Sequence, residues 1–267
     1  MSKNKQPDLK QFLRQFIRFS PRQMIMMLAG NLVLALGVAL FGQAGLGNHP
    51  FHTMLYAAGE LAPGDMGWNY VLFQILLNVV LFVVIFLVGR KHIGLGTIVN
   101  MFLLSPVINL LTILMNSIGL TPAAGEGAYL VSWLGLKNVW QLVMEIAATV
   151  LISLGISLYQ AGKLGAAPYD ALPLVAVDHG KPFAPWRMLC DGSCLILTAV
   201  FLFLCGLRDL PAGGMGFGDF LSFMTSAAPE QARIGLGTVI TVFCTGPFIH
   251  FFDRTVSEKI MGKGKAE

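Results

Sequence analysis

Charge is what this chain has least of. Charged residues fill 12% of its 267 positions, against about 25% in an ordinary soluble domain. A water-facing surface cannot be covered with so few, so a soluble globular reading is excluded. The usual signatures of soluble enzymes are missing too: there is no phosphate-cradling loop, no Gly-x-Ser-x-Gly elbow and no dinucleotide fingerprint. The Gly94-Leu95-Gly96 triplet opens an apolar run without a preceding strand and reads as helix packing. No nucleophile and base stand out as a pair, so we expect no catalytic residue, no enzyme activity and no cofactor. Cysteine is sparse, and Cys190, Cys194, Cys205 and Cys244 lack metal-ligand or disulfide spacing, which suits small packing residues. A net charge of +4 gives no reason to invoke nucleic acid.

What is abundant is hydrophobic length. Apolar residues make up 55% of the chain, and the runs are long enough for helices of roughly 20 residues that cross a hydrocarbon core. Spans are expected at 24 to 42, 69 to 89, 93 to 118, 138 to 161, 187 to 206 and 234 to 252. The third is the longest and must tilt or break. The lipid bilayer is therefore the first expected partner.

Positive charge orients these spans. Of the 18 Lys and Arg, all but Lys137, Arg208 and Arg233 fall on one side of a six-span topology. By the positive-inside bias that side is the cytoplasm, and it holds both termini. Residues 7 to 20 place Leu9, Phe12, Leu13, Phe16 and Ile17 on one face of a basic helix. Such a segment lies on the inner leaflet or is solvated as a cytosolic helix.

Self-comparison reveals a duplication. Residues 34 to 55 align without a gap on 152 to 173, matching Gly37 with Gly155, Leu46-Gly47 with Leu164-Gly165 and Pro50 with Pro168. Ile93-Gly94-Leu95-Gly96-Thr97 recurs as Ile234-Gly235-Leu236-Gly237-Thr238, followed by Pro106 with Pro247. The offset changes from 118 to 141, so the second copy holds an insertion around 208 to 233. Three spans per copy force the second to enter from the opposite face, an inverted repeat found in secondary transporters and some channels. The expected organisation is a basic segment 1–23, a first repeat 24–118, an outer connection 119–137, a second repeat 138–252 and a basic tail 253–267. Because the first span belongs to the repeat, the basic start before it is not read as a signal peptide.

After spans 1 and 4 each copy has glycine, then proline, then a short apolar stretch. Glycine permits unusual backbone angles and proline suits a first helical turn, so each segment is a break and a new helix start. It is either re-entrant, aiming amide donors inward, or a turn into an interfacial helix. Asn48, His49, Pro50 and His52 mark the first break, and Pro168, Tyr169 and Asp170 the second. Two histidines fall short of the three or more protein ligands of a typical metal site, so no metal is expected. Asn78 and Asn100 either line a pathway or bridge helices.

Ionisable residues in spans are costly and usually face a cavity or a partner. Glu145 lies inside span 4 without a local partner, as an ion-coupling carboxyl or a buried protonated one. Arg187 and Asp191 are four residues apart, on one helix face. They form either a local ion pair at a span end or part of an ion-coupling site.

The paired Leu-Gly-x-x-Pro-aromatic and Gly-x-Gly-Thr patterns resemble the YczE/YyaS/YitT-like family of bacterial integral inner-membrane proteins, over about residues 30 to 255. Leu164 to Asp170 and Arg187-x-x-x-Asp191 look like that family's Pro-x-Asp and Arg-x-x-x-acid positions, whereas His52 stands where the family usually has Asp. The resemblance implies a location in the bacterial cytoplasmic membrane and a repeat architecture. The expected function is a secondary transporter of a small polar or anionic solute, with a midplane site at the repeat interface. A channel with two opposed half-helices, or a substrate-binding or regulatory subunit of a membrane complex, are the alternatives, and a homodimer is an assembly compatible with either.

Overall fold

The computed structural model describes residues 12–13, 16–47, 49–120, 139–208, 216, 218 and 234–261. Most of the expected outer connection and most of the expected insertion lie outside these residues. The described chain is helical and contains no strand. In order come α1 (Pro21–Ala44), α2 (Pro50–Leu61), α3 (Met66–Val88), a short 3-10 turn (Arg90–His92), α4 (Leu95–Ser117), α5 (Val139–Ala161), α6 (Pro168–Asp178), α7 (Phe183–Arg208) and α8 (Leu236–Phe252). Six of the described helices are long and apolar enough to cross a membrane, which makes this a multi-pass membrane protein.

Local chemistry explains the helix ends. Ser20 and Gln23 cap the start of α1 reciprocally, with Pro21 in the first turn. Gly45 ends α1 in the left-handed conformation. Asp65 accepts from the Trp68 amide at 3.0 Å to start α3. The threonines of the two Gly-x-Gly-Thr motifs act alike: Thr97 accepts from Gly94 N–H at 3.1 Å, and Thr238 from Gly235 N–H at 3.3 Å. The motif is thus a helix cap as well as a packing surface.

The centre of the molecule is the antiparallel pair α1 and α5. They approach at backbone distance because Gly37 and Gly155 carry no side chain: a Cβ on Gly37 would lie 2.7 Å from the Ile152 nitrogen, and one on Gly155 2.6 Å from the Leu34 Cα. Around this pair α4 packs on α1 and α8 on α5, while α2 packs on α7 and α6 on α3. The Gly-x-Gly turns close the arrangement. Gly96 N–H donates to the Leu164 carbonyl at 2.6 Å, and Gly237 N–H donates to the Leu46 carbonyl at 2.9 Å. Gly47 and Gly165 adopt φ of 128° and 105° there, which only glycine does without strain. α7 and α8 also pack together, whereas α3 and α4 touch little and turn broad apolar faces outward.

Most boundaries shift by at most three residues, and two move further. The fifth span begins at Phe183 rather than 187, because Pro185 is tolerated in a first turn that needs no amide donor. The last helix does not stop at 252, but passes through a π-turn (Asp253–Ser257) into a final turn, Glu258–Ile260. The first residues of the expected tail therefore prolong the last span. Of the expected N-terminal amphipathic face, Phe12 is buried with its ring 5.6 Å from Phe86, and Phe16 packs beside it. Leu13 and Ile17 are exposed, and Leu9 lies outside the described residues.

Candidate functional site

The starts of α2 and α6 meet inside the molecule. The Phe51 and Tyr169 rings, one residue past the two prolines, lie 4.7 Å apart between centroids. Both breaks therefore turn back into the interior of the molecule, where Pro50 and Pro168 are buried. A cavity of about 130 Å³ opens at this meeting point, room for several waters or a small solute. Its apolar wall is the α1–α5 crossing, with Leu34 and Val38 facing Ile152 and Ile156. Its polar wall comes from His49 and His52 of α2's start, Gln74 and Asn78 of α3, and Asn100 and Ser105 of α4. Pro168, Tyr169, Asp170 and Arg187 complete it.

Arg187 organises one end. It is fully buried, and its guanidinium reaches Asp191 through Nε at 3.1 Å and Asp170 through Nη1. The remaining carboxylate oxygens are also satisfied: Tyr169 O–H donates to Asp191 at 2.6 Å and Tyr159 O–H donates to Asp170. The guanidinium lies over the Tyr169 ring, 4.8 Å from its centroid. The local Arg187–Asp191 pair that the sequence leaves open is present, and the structure extends it into a five-residue buried network in which Asp170, from another helix, is the second anion. Two carboxylates around one guanidinium sum to one formal negative charge. The N-termini of α2 and α6 each contribute about half a positive charge, which brings the site close to neutral.

The first break is built differently. His49 caps α2, its Nδ1 accepting from Phe51 N–H at 3.4 Å. His52 Nδ1 pairs with Tyr70 O–H at 2.6 Å, and Tyr70 stacks on Tyr56 at 4.2 Å. Asn100 donates to Asn31 at 2.9 Å, and Asn31 donates to the Met27 carbonyl at the same distance.

Of the residues expected at a binding site, His49, His52, Asn78, Asn100, Pro168, Tyr169 and Asp170 line one cavity, and Pro50 begins the helix that enters it; Arg187, expected in an ion pair or at an ion-coupling site, lines the same cavity. Asn48 lies outside the described residues. Asp191 stands behind Arg187 and does not reach the cavity wall. Glu145 is elsewhere, fully buried between α5 and α8, where a Cβ on Gly237 would lie 2.5 Å from its carboxyl carbon. Sequence reasoning missed Tyr159, although the repeat alignment pairs it with Phe41, a hydroxyl gained at an otherwise aromatic position. It also missed Tyr70, for which the sequence carries no comparable signal.

Outside the spans, Asp178 at the end of α6 binds Lys91 Nζ at 2.6 Å and His92 Nε2 at 2.7 Å. This fastens the C-terminal end of α6 to the turn before α4. Burial is the main influence holding the His92 imidazole below its ordinary value near 6.5, against the opposing pull of Asp178.

Comparison with known proteins agrees with the resemblance seen in the motifs. The uncharacterized protein YyaS of Bacillus subtilis (strain 168) is 26% identical over 238 residues, which cover 88% of this chain and 94% of that protein. No solved structure matches the chain. Residues 21–227 match a family of unknown function, DUF6198, and the chain belongs to that family.

Proposed function

We propose that this protein is a secondary transporter of a small polar solute, built as an inverted duplication and working by alternating access. The observation that carries the reading is the cavity at the meeting point of α2 and α6, lined from both three-span units. The reciprocal docking of each Gly-x-Gly-Thr turn on the other unit's Leu-Gly loop supports the duplication. In this reading both termini are cytoplasmic and the membrane is the bacterial inner one.

The difference between the units supports alternating access. Gly246 of α8 packs against α7, where a Cβ would lie 2.7 Å from the Ala184 carbonyl. Its counterpart at the 141 offset, Ser105 of α4, is exposed and faces the cavity. The α3–α4 side is the open gate of this state, and exchanging the two packings gives the opposite one. Within the expected polar or anionic class, the charge balance favours a neutral or zwitterionic solute. Arg187 is already matched by Asp170 and Asp191 and leaves no net positive side-chain charge for an anion.

The test is uptake by the full chain in proteoliposomes, across a panel of labelled amino acids, small amines, sugars and carboxylates, with and without proton or sodium gradients. Gradient-driven accumulation of a neutral or zwitterionic solute is the expected result. Downhill flux that no gradient can drive uphill marks a channel, and neither flux nor any solute-induced thermal shift overturns the reading.

A further inference from the structure

A second polar path, separate from the cavity, runs along the contact of α5 with α8. Gln141, Glu145, Thr149, Ser153 and Ser157 recur every fourth residue and form one inclined ridge along α5. All five are buried. From the other side come Thr241 and Thr245 of α8, also fully buried, then Asp253 and Ser257 of the π-turn. At the π-turn the seam is hydrogen-bonded: Ser157 donates to Asp253 at 2.6 Å and its oxygen lies 2.6 Å from Ser257 Oγ. Further along, Ser153 and Thr241 donate only to the carbonyls of Thr149 and Gly237, both at 2.8 Å. Both oxygens of Glu145 and the hydroxyls of Thr149 and Thr245 are buried without a hydrogen-bond partner among the described residues. Such orphaned groups are rare and call for an occupant or a role.

Among the described residues, no counter-ion faces Glu145. Arg22, the one charged residue of α1, lies at the far end against the Ile260 carbonyl. In α8 the one titratable residue besides Cys244 is His250, which is exposed. An ionised carboxylate so placed is costly, and a bound proton removes the cost.

The matching seam of the first unit keeps polar residues at its ends, Gln23 for Gln141 and Thr112 and Asn116 for Asp253 and Ser257, and lacks the carboxyl and the hydroxyls between them. At the same offsets Met27 replaces Glu145, Ala35 and Ala39 replace Ser153 and Ser157, and the closed Asn31–Asn100 pair replaces Thr149 and Thr241. The hydroxyl line therefore belongs to one unit and is not a by-product of the shared scaffold.

We infer that Glu145 is a proton-binding site, supplied along the hydroxyls of the α5–α8 seam from Asp253 at the half-buried π-turn. A proton leaves the Asp253 carboxyl for Ser157, which passes its own hydrogen onward. Each hydroxyl of the line ends with one hydrogen, as it began, and the one-turn steps between side chains require a bridging water. The last transfer is to the Glu145 carboxylate. This deepens the transporter reading by making the proton the coupling ion, and it rests on that reading only for the word coupling.

The experiment needs no transported solute, so its failure is distinct from failure of the transport reading. Infrared spectra of the full chain in liposomes at neutral pH are expected to show a protonated-carboxyl band that Glu145→Gln removes. Transfer to heavy water should shift that band at least fivefold more slowly in Ser157→Ala, Asp253→Asn and Thr149→Val. Thr149→Ser, which restores a hydroxyl, and Ser193→Ala, outside the seam, should exchange as wild type does. A band that survives Glu145→Gln, or a carboxylate band that moves when sodium is withdrawn, overturns the proton assignment. Exchange unchanged in all three seam variants of monodisperse protein overturns the path.

Discussion

Gly237 donates its amide to the Leu46 carbonyl at 2.9 Å, tying the first turn of the last span to the loop that follows the first. The reverse tie, Gly96 to Leu164, spans 2.6 Å. Both need a backbone without side chains at the contact, and this makes the loops a point where stability can be probed.

Gly165→Ala is expected to destabilise the protein well beyond Gly180→Ala. Both glycines have positive φ, 105° and 75°, but an added Cβ at 165 meets Thr97 Oγ1 at 2.6 Å while one at 180 meets nothing within 4 Å. Strain of this kind costs about 1–3 kcal/mol before any clash. Thermal unfolding in detergent measures the pair, and equal losses would mean that the docked loop adds no constraint.

Arg187→Gln should cost about 3–5 kcal/mol, because it leaves Asp170 and Asp191 buried without their cation. Tyr159→Phe removes one hydrogen bond to a charged group and should cost about 1.5–3 kcal/mol. Denaturant titration ranks the two; a tyrosine variant as damaging as the arginine one would contradict the network as described.

Filling the cavity should block solute without unfolding the chain. Ser105→Phe adds bulk at an exposed position on the cavity wall. Uptake, or the solute-induced thermal shift, is expected to fall more than tenfold while the elution profile stays monodisperse. Wild-type uptake in this variant would place the solute elsewhere.

The His92 contact predicts an acid-sensitive fold. The folded protein holds His92 below its ordinary value near 6.5, so the neutral ring is the form the fold favours. Its contribution is present above that value and is lost as pH falls through the lowered one. The melting temperature should drop on acidification, and His92→Gln should flatten part of that drop. Parallel profiles for the two proteins would remove His92 from the account.

The fold was largely legible from the chain. Hydrophobic length alone marks six spans, because a helix must satisfy its own backbone in lipid and needs a minimum run to cross it. Charge placement and the recurrence of Leu46-Gly47 as Leu164-Gly165 predict which segments correspond. The cavity-lining residues at the two breaks were legible for the same reason, since Pro50 and Pro168 announce new helix starts.

What the sequence determined by itself is therefore local and periodic: span length, capping, and the residue types at each break. Only the tertiary structure decided which of these meet. Asp170 lies 17 positions from Arg187 and 11 from Tyr159, and no periodicity links the three until α6 turns back between α5 and α7. Glu145 shows the same limit in reverse, as a residue grouped by sequence with Arg187 and Asp191 that faces Gly237 instead. A helix specifies which side chains share its face, whereas the partner of that face is chosen by packing, through contacts between residues far apart in the chain.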